Sequence, residues 1–396
     1  MKILFCSLIA LFILSCKDSS NIIYEIDPNS FNLNTIYLSD IAVDINYIQL
    51  DNKIKFVNYK YIVNSSSIYL SAKEIGILKF DRNGKFLRRI GDIGRGPGEF
   101  KLGMSFTVDE TTGNVYVLDW RKIKVYSQAG TFIRDISYDG FIGSSEMPGD
   151  IELFNSYLYL PDYNINGDSK FDWVILDTLG NLISSKKNVI PSFSTNIGMD
   201  GSLYNYNGNL CYFNLYNDTI FSISPDLSYK ANFKFSQGEH RWPKTKVDMS
   251  LNFNLSKYFR PFNMFETNKY IVFRYYYLDK YAWAFIDKET KKTFLSFKYE
   301  NPISGGKTCK PYLINDLDGG PDLSEWIQYY TENDNEFIVL LVNPIDLIMK
   351  INSEYFKENS VKFPKMKRSL EEMVNNLDEY DNPILMMIKL KDNDEV

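Results

Sequence analysis

The sequence predicts an all-β protein, a six-bladed β-propeller closed by an N-terminal strand in its last blade. Three observations carry this prediction. Short runs of alternating apolar and polar residues fill the chain, separated by turns of Gly, Asn, Asp and Ser. Aromatic residues make up 16% of the 396 residues, with 29 Tyr and 28 Phe, which suits packed strands better than helical bundles. The strands also fall into groups of four that repeat about every 45 residues, the spacing of propeller blades.

The first group is YKYIVN (59–64), SIYLSA (67–72), IGILKFD (75–81) and KFLRRI (85–90), with Asn83-Gly84 as a strong hairpin turn. The second is SFTVDE (105–110), NVYVLD (114–119), KIKVYS (122–127) and TFIRDI (131–136), with Gly113 and Gly130 at its turns. A third covers DIELF (150–154), YLYLPD (157–162), DWVILD (172–177) and NLISS (181–185). A fourth covers SLYNY (202–206), NLCYFN (209–214), DTIFSIS (218–224) and YKANFKF (229–235). After a long loop comes a fifth, FNMFET (262–267), YIVFRYY (270–276), AWAFID (282–287) and TFLSFKY (293–299).

The sixth group is one strand short. EWIQYY (325–330), EFIVLLV (336–342) and ILMMIKLK (384–391) supply three strands. Between the last two lies a charged stretch, Lys350 to Tyr380, in which 366–377 reads as an amphipathic helix with Leu370, Met373, Val374 and Leu377 on one face. INYIQLD (45–51) precedes group one and is not needed there. A ring must close, because an open stack leaves sheet edges free to pair with other chains. The expectation is therefore that 45–51 completes the sixth blade.

The chain opens MKILFCSLIALFILSCKDSS. One Lys, an apolar run too short to span a bilayer comfortably, and Ser15 before Cys16 have the form of a bacterial lipoprotein signal. The domain expectation is a signal peptide over 1–15, a tether and entry segment over 16–44 and the propeller over 45–396. Cys16 is the expected lipidation site, and the expected address is outside the cytoplasm, membrane-anchored at the outer membrane on its periplasmic or cell-surface side. The alternative is an ordinary signal peptide with an incidental Cys. Cys211 and Cys309 remain in the folded part, and their pairing is not readable from sequence.

GDIGRGPGEF (91–100) joins groups one and two with four glycines. A phosphate-binding loop would run into a helix with Lys-Ser/Thr, but here a strand follows, so the loop reads as the crossover between blades. Such crossovers often end near the axis, which makes Arg95 and Glu99 candidate ligand contacts.

With these residues in view, GRGPGEF followed by VD…GNVYVLD…KIKVYS resembles the NHL-type repeat, and more narrowly the six-bladed β-propeller lipoproteins of gut-dwelling Gram-negative bacteria. LSDIAVDINYIQLD (38–51), NDTIFSIS (217–224), INDLDGGPDL (314–323) and DEYDNPILMMIKLK (378–391) resemble that family's entry, middle, late-turn and closing segments. After the late turn, Leu323-Ser324-Glu325-Trp326 stands where the family pattern has an aromatic-proline pair. The resemblance implies the fold and the lipoprotein address; the family has no agreed activity from which to carry over catalytic residues. Asp177-Thr178-Leu179 and Asp218-Thr219-Ile220 look like short O-glycosylation acceptors of such bacteria, or equally like strand-edge turns.

The net charge of −6 offers no basic surface, which disfavours nucleic acid as a partner. His240 is the one histidine, so multi-imidazole metal centres are ruled out and no metal ligands are assigned. It lies in QGEHRWPK (237–244), where Glu239, His240, Arg241 and Trp242 offer an indole, a guanidinium and a carboxylate on a long loop, suited to stacking on a sugar or peptide. The competing reading has Trp242 plugging a seam between blades and Arg241 pairing with a neighbouring strand end. DLDGG (316–320) superficially resembles a calcium loop but lacks its last glutamate, and reads as a turn. The sequence thus points to a binding or scaffold module with a glycan, peptide or protein ligand, touching the membrane only through its lipid; a further reading is a subunit of an outer-membrane complex. No cofactor is expected. The alternative is a glycan hydrolase or lyase that uses carboxylates or a divalent ion in the central channel.

Overall fold

The computed structural model describes residues 23–392 apart from 33, 102, 104, 143–147, 164–166, 194–200, 244–253, 301–307 and 324–326. Cys16 and the signal segment lie outside the described residues.

Six sheets form six blades around an axis. Blade 1 is Asn58–Val63, Ser67–Ala72, Gly76–Asp81 and Phe86–Ile90; blade 2 is Ser105–Val108, Val115–Asp119, Lys122–Tyr126 and Phe132–Ser137. Blade 3 is Glu152–Phe154, Tyr157–Pro161, Phe171–Asp177 and Leu182–Lys187; blade 4 is Gly201–Tyr206, Asn209–Asn214, Asn217–Ile223 and Tyr229–Phe235. Blade 5 is Arg260–Glu266, Tyr270–Tyr277, Lys280–Asp287 and Thr293–Glu300. Within each blade the strands pair antiparallel in chain order, and the first strands of neighbouring blades meet around the channel. The second and third strands are buried on both faces between neighbouring blades. That is why Val115–Asp119 is buried at every position rather than at alternate ones.

The ring closes as expected. Blade 6 takes Gln328–Glu332, Asn335–Val342 and Ile384–Leu390 from the C-terminal part, and Ala42–Gln49 from the N-terminal part. The closing pair is antiparallel and runs from Ile384↔Gln49 to Leu390↔Ala42. Two devices tie the closure to blade 1. Buried Asn382 donates Nδ2 to the carbonyls of Asp51 (2.8 Å) and Ile54 (2.7 Å), while its own N–H reaches Asn52 Oδ1 at 2.7 Å. Gly84, in the predicted Asn-Gly turn, has φ +84°, and a Cβ there would fall 2.0 Å from the Gln49 carbonyl. The turn therefore needs glycine twice over, for its backbone and for the approach of the closing strand.

The segment ahead of the closing strand is less free than a tether. Tyr24–Ile26 adds in parallel to the outer strand of blade 4, with Tyr24 opposite Phe233, and Asn34–Thr35 adds in parallel to the outer strand of blade 5. A short helix, α1 (Leu38–Ile41), then buries Leu38 and Ile41. Thr308–Pro311 likewise extends blade 5 beyond Thr293–Glu300.

Between the second and third strands of blade 6 lie three helices, α2 (Pro344–Asn352), α3 (Glu354–Glu358) and α4 (Pro364–Val374). Only the last was expected, over 366–377. It starts at Pro364, which suits a first helical turn, and it buries Leu370 and Val374 with Met373 and Leu377 packed beside them. Cys211 and Cys309 are both buried and unpaired, and burial pushes the Cys211 thiol up to about 12.

Candidate functional site

The GDIGRGPGEF loop folds on itself. Gly94 N–H donates to the Phe100 carbonyl (3.0 Å) and Phe100 N–H to the Asp92 carbonyl (3.0 Å). The Glu99 carboxylate accepts from Gly96 N–H at 2.7 Å. A Cβ on Gly94 would lie 1.9 Å from that carboxylate, so the glycine makes room for the loop's own acid rather than for a phosphate. Phe100 is buried against Tyr126, whose hydroxyl donates to the Gly98 carbonyl at 2.6 Å. Glu99 is therefore engaged within the loop, and Arg95 stands exposed.

The loop between blades 4 and 5 corrects the expectation of a stacking platform. Trp242 is only 2% exposed and sits in a core cluster with Phe213, Phe235 and Phe259, with the Arg260 guanidinium over its ring at 5.3 Å. No indole face is left for a sugar. Arg241 donates Nε to Asp218 Oδ1 at 2.6 Å, fixing the loop to the third strand of blade 4. The seam-plugging alternative is what the side chains do. Glu239 is exposed.

His240 is buried beside Ser236, Nε2 to Oγ 3.1 Å, with Asn29 on Nδ1 at 3.2 Å. This has the outline of a Ser-His-Asn arrangement, but the polarity is reversed. The Asn29 amide is oriented by Tyr277, whose hydroxyl donates to its Oδ1 (2.8 Å), and by Asp27, which accepts from its Nδ2 (3.1 Å). Asn29 therefore donates to Nδ1, the ring proton sits on Nε2, and Nε2 donates to Ser236. A nucleophile–base pair needs the proton to move the other way. What the histidine does is pin the N-terminal segment to the loop.

The late turn also uses its acids internally. Asp318, fully buried, accepts from Asn315 Nδ2 (2.7 Å), Gly320 N–H (2.8 Å) and the Tyr47 hydroxyl (2.9 Å). Asp316 accepts from Ser39 N–H at 2.8 Å, and Asp322 takes Lys350 at 2.7 Å. The loop is a polar rivet between the closing strand, α1 and α2. Among the described residues no three His, Cys, Asp or Glu side chains gather as a metal site. Asp177 likewise turns its chain, accepting from Leu179 N–H (2.9 Å) and Asn181 N–H (2.8 Å), and Thr219 lies within a strand.

The site that the sequence reading missed lies on the inner strands. Lys60 (blade 1) reaches Asp150 Oδ1 at 2.7 Å and Ser105 Oγ (blade 2) at 3.2 Å. The Ser105 hydroxyl and the Ile151 N–H converge on the same Asp150 oxygen. Two residues on, Glu152 opens the inner strand of blade 3 and accepts from Asn205 Nδ2 (blade 4) at 3.0 Å. Side chains from four blades thus meet at the channel. Burial pushes the Glu152 carboxyl up to about 7, and Asp150 adds to this, while Lys60 and Asn205 oppose it. A Lys–Asp pair beside a carboxyl that titrates near neutrality can hold a charged or hydroxylated ligand, or move a proton. One signal was available in the sequence: Asp-x-Glu at the start of a group's first strand puts two carboxylates on one face of an inner strand.

The family described as Domain of unknown function (DUF4934) matches residues 22–389, from the segment wrapped on blade 4 to the closing strand. The chain belongs to this family. The DUF4934 chain is also similar to several solved structures. One is a protein of Bacteroides fragilis whose name describes it as exported: 18% identity, 91% of this chain and 99% of that one covered, TM-score 0.62. Another is a member of the DUF4221 family from Bacteroides vulgatus, at 13% identity, 88% and 98% coverage and TM-score 0.48. A third is virginiamycin B lyase from Staphylococcus aureus, at 12% identity, 74% and 95% coverage and TM-score 0.42. No curated protein matches the chain. At these identities the likeness to the Bacteroides fragilis protein is one of fold, and the DUF4934 channel residues rest on their own geometry.

Proposed function

We propose that the protein is exported, is held at the outer membrane by lipid on Cys16, and acts as a binding module whose ligand enters the central channel. The observation that carries the binding role is the convergence of Lys60, Ser105, Asp150, Glu152 and Asn205 from four blades. Among the described residues the surface loops supply no comparable cluster: in the loop between blades 4 and 5, Trp242 is packed and Arg241 is paired with Asp218. The signal-like start and the exported Bacteroides fragilis neighbour support export. No helix among the described residues is long and apolar enough to cross a membrane. The assignment of the anchor to Cys16 is supported by the signal-like start that precedes it. The ligand is a glycan, a peptide or a segment of a partner protein, within an outer-membrane complex where the ligand belongs to one.

The test is a glycan and peptide array probed with wild type and with Lys60→Ala and Glu152→Gln. Binding that both substitutions weaken supports the reading; hits indifferent to both overturn it. For the anchor, Cys16→Ser should move the protein from the membrane to the soluble fraction.

A second reading has its own observation. A carboxyl held near pH 7 two residues from Asp150 is suited to general acid catalysis of glycoside cleavage. Product release from an array glycan, abolished by Glu152→Gln, would favour it over binding alone.

A further inference from the structure

The channel cluster carries unequal charge. Among the described residues Lys60 is its one cation and Asp150 and Glu152 are its two carboxyls, and Lys60 is committed to Asp150 at 2.7 Å. Among the described residues the one hydrogen-bond partner of half-buried Glu152 is the neutral amide of Asn205 at 3.0 Å, while Lys60 acts on it through space. A carboxyl in that position either keeps a proton or takes up a cation from outside. We propose that the channel recognises a protonated primary amine carried by its ligand, seated between Glu152 and Asp150. This rests on the channel being the binding site.

The donor set fits an ammonium. Asp150 and Glu152 are two residues apart as the chain enters an extended strand, so they share a face at a spacing of about 7 Å. Asp150 uses Oδ1 for Lys60, Ser105 and the Ile151 N–H, and among the described residues no hydrogen bond occupies its Oδ2. Asn205 donates through Nδ2, which leaves its carbonyl oxygen as a third acceptor. An ammonium brings three N–H donors and needs no more than these. A calcium ion would ask for six to eight oxygens, and the cluster offers two carboxylates. An anion would meet net negative charge, and a neutral sugar would leave Glu152 uncompensated.

Burial holds the Glu152 carboxyl near 7, so below that pH a proton competes with the amine. The charged neighbours facing Glu152 are Lys60 and Asp150; Asn205 and Ser105 do not titrate. Affinity should therefore fall about tenfold for each pH unit below 7; above it a lysine amine stays charged and affinity levels off, whereas an amino sugar, a weaker base, loses its own proton and its affinity falls again.

The amine has two natural sources, a lysine-bearing peptide and an amino sugar. Calorimetry on the full chain in detergent micelles at pH 7, where both amines carry charge, would use trilysine amide, the glucosamine trimer, and the fully N-acetylated form of each. The expected result is that one amine probe binds, its acetylated form does not, and Glu152→Gln weakens it at least tenfold; which probe binds identifies the source. Glu152→Gln keeps an acceptor for Asn205, and a melting curve checks its fold, with Asp150→Asn as the second variant. An acetylated probe that binds as well as its amine, yet still loses tenfold in Glu152→Gln, overturns the amine and keeps the channel. Amine binding indifferent to both variants overturns the channel reading itself, and binding of neither amine overturns the proposal.

Discussion

Two of the polar clusters in this ring, the seam of blades 4 and 5 and the inner strands, differ in how fully their groups are paired. At the seam of blades 4 and 5, Arg241 has Asp218, His240 has Asn29 and Ser236, and Trp242 fills the space beneath them. On the inner strands, Lys60 has Asp150, but among the described residues Glu152 is hydrogen-bonded to a neutral amide and to no charged group. The difference teaches how to tell structure from function in a protein whose sequence is rich in both aromatic and charged residues. A saturated network is the sign of assembly, because buried polar groups left unpaired cost more than pairing them gains. An unsaturated group retained in a channel is a cost that a ligand can remove.

The largest expected effect breaks the first cluster. Trp242→Ala should destabilise the protein by about 3–5 kcal/mol, the range for emptying a fully buried indole, as read from denaturant unfolding. Ligand affinity of the protein that remains folded should not change. If Trp242→Ala abolished binding without changing stability, the two clusters would have to exchange roles. His240→Ala comes next, at about 1–3 kcal/mol, because it removes a buried partner from both Asn29 and Ser236. It should also speed proteolysis within 24–35, since that segment loses its pin to the loop.

How much of this could be read from the sequence depends on the distance over which a residue's role is decided. Strands such as Tyr229–Phe235 fall where the alternation puts them, because alternation is a local property. Closure by the N-terminal strand was legible by counting, since a ring forbids a spare strand. Tyr24–Ile26 was not legible: three residues show no period, and their partner is Phe233, far along the chain. In α2, Leu347 and Ile351 stand at i, i+4, a signal that was present and that the surrounding charge obscured. The site failed for the same reason of range. An aromatic next to a charge on a loop looks exposed until blade 5 closes over it, and nothing near Glu152 in sequence announces Asn205, 53 residues away.

The second cluster is sharpened by its pH dependence. An acid whose folded pKa is raised is penalised when it ionises, so the penalty is absent below the unfolded value of 4.5, grows between 4.5 and 7, and is complete above 7. A shift of this size would be worth about 3 kcal/mol in a dry site, and channel water reduces it to roughly 1–2 kcal/mol. Glu152→Gln should therefore stabilise the protein by that amount at pH 8 and by nothing at pH 4, in paired thermal melts. Equal stabilisation at both pH values would mean that the side chain is penalised by packing and not by its charge.

The smallest effect belongs to the loop that first drew attention. Glu99 accepts from Gly96 N–H and fills the space above Gly94, so Glu99→Ala should cost about 1 kcal/mol by leaving that N–H without its partner. Arg95, four residues earlier and exposed, should tolerate Ala within about 0.5 kcal/mol. Neither should alter binding in the channel, because the carboxylate is spent inside its own loop and Lys60 and Glu152 make no bond to it. Arrays probed with both variants would check this: a lost ligand in Arg95→Ala, at unchanged stability, would move the binding surface from the inner strands to the crossover between blades 1 and 2.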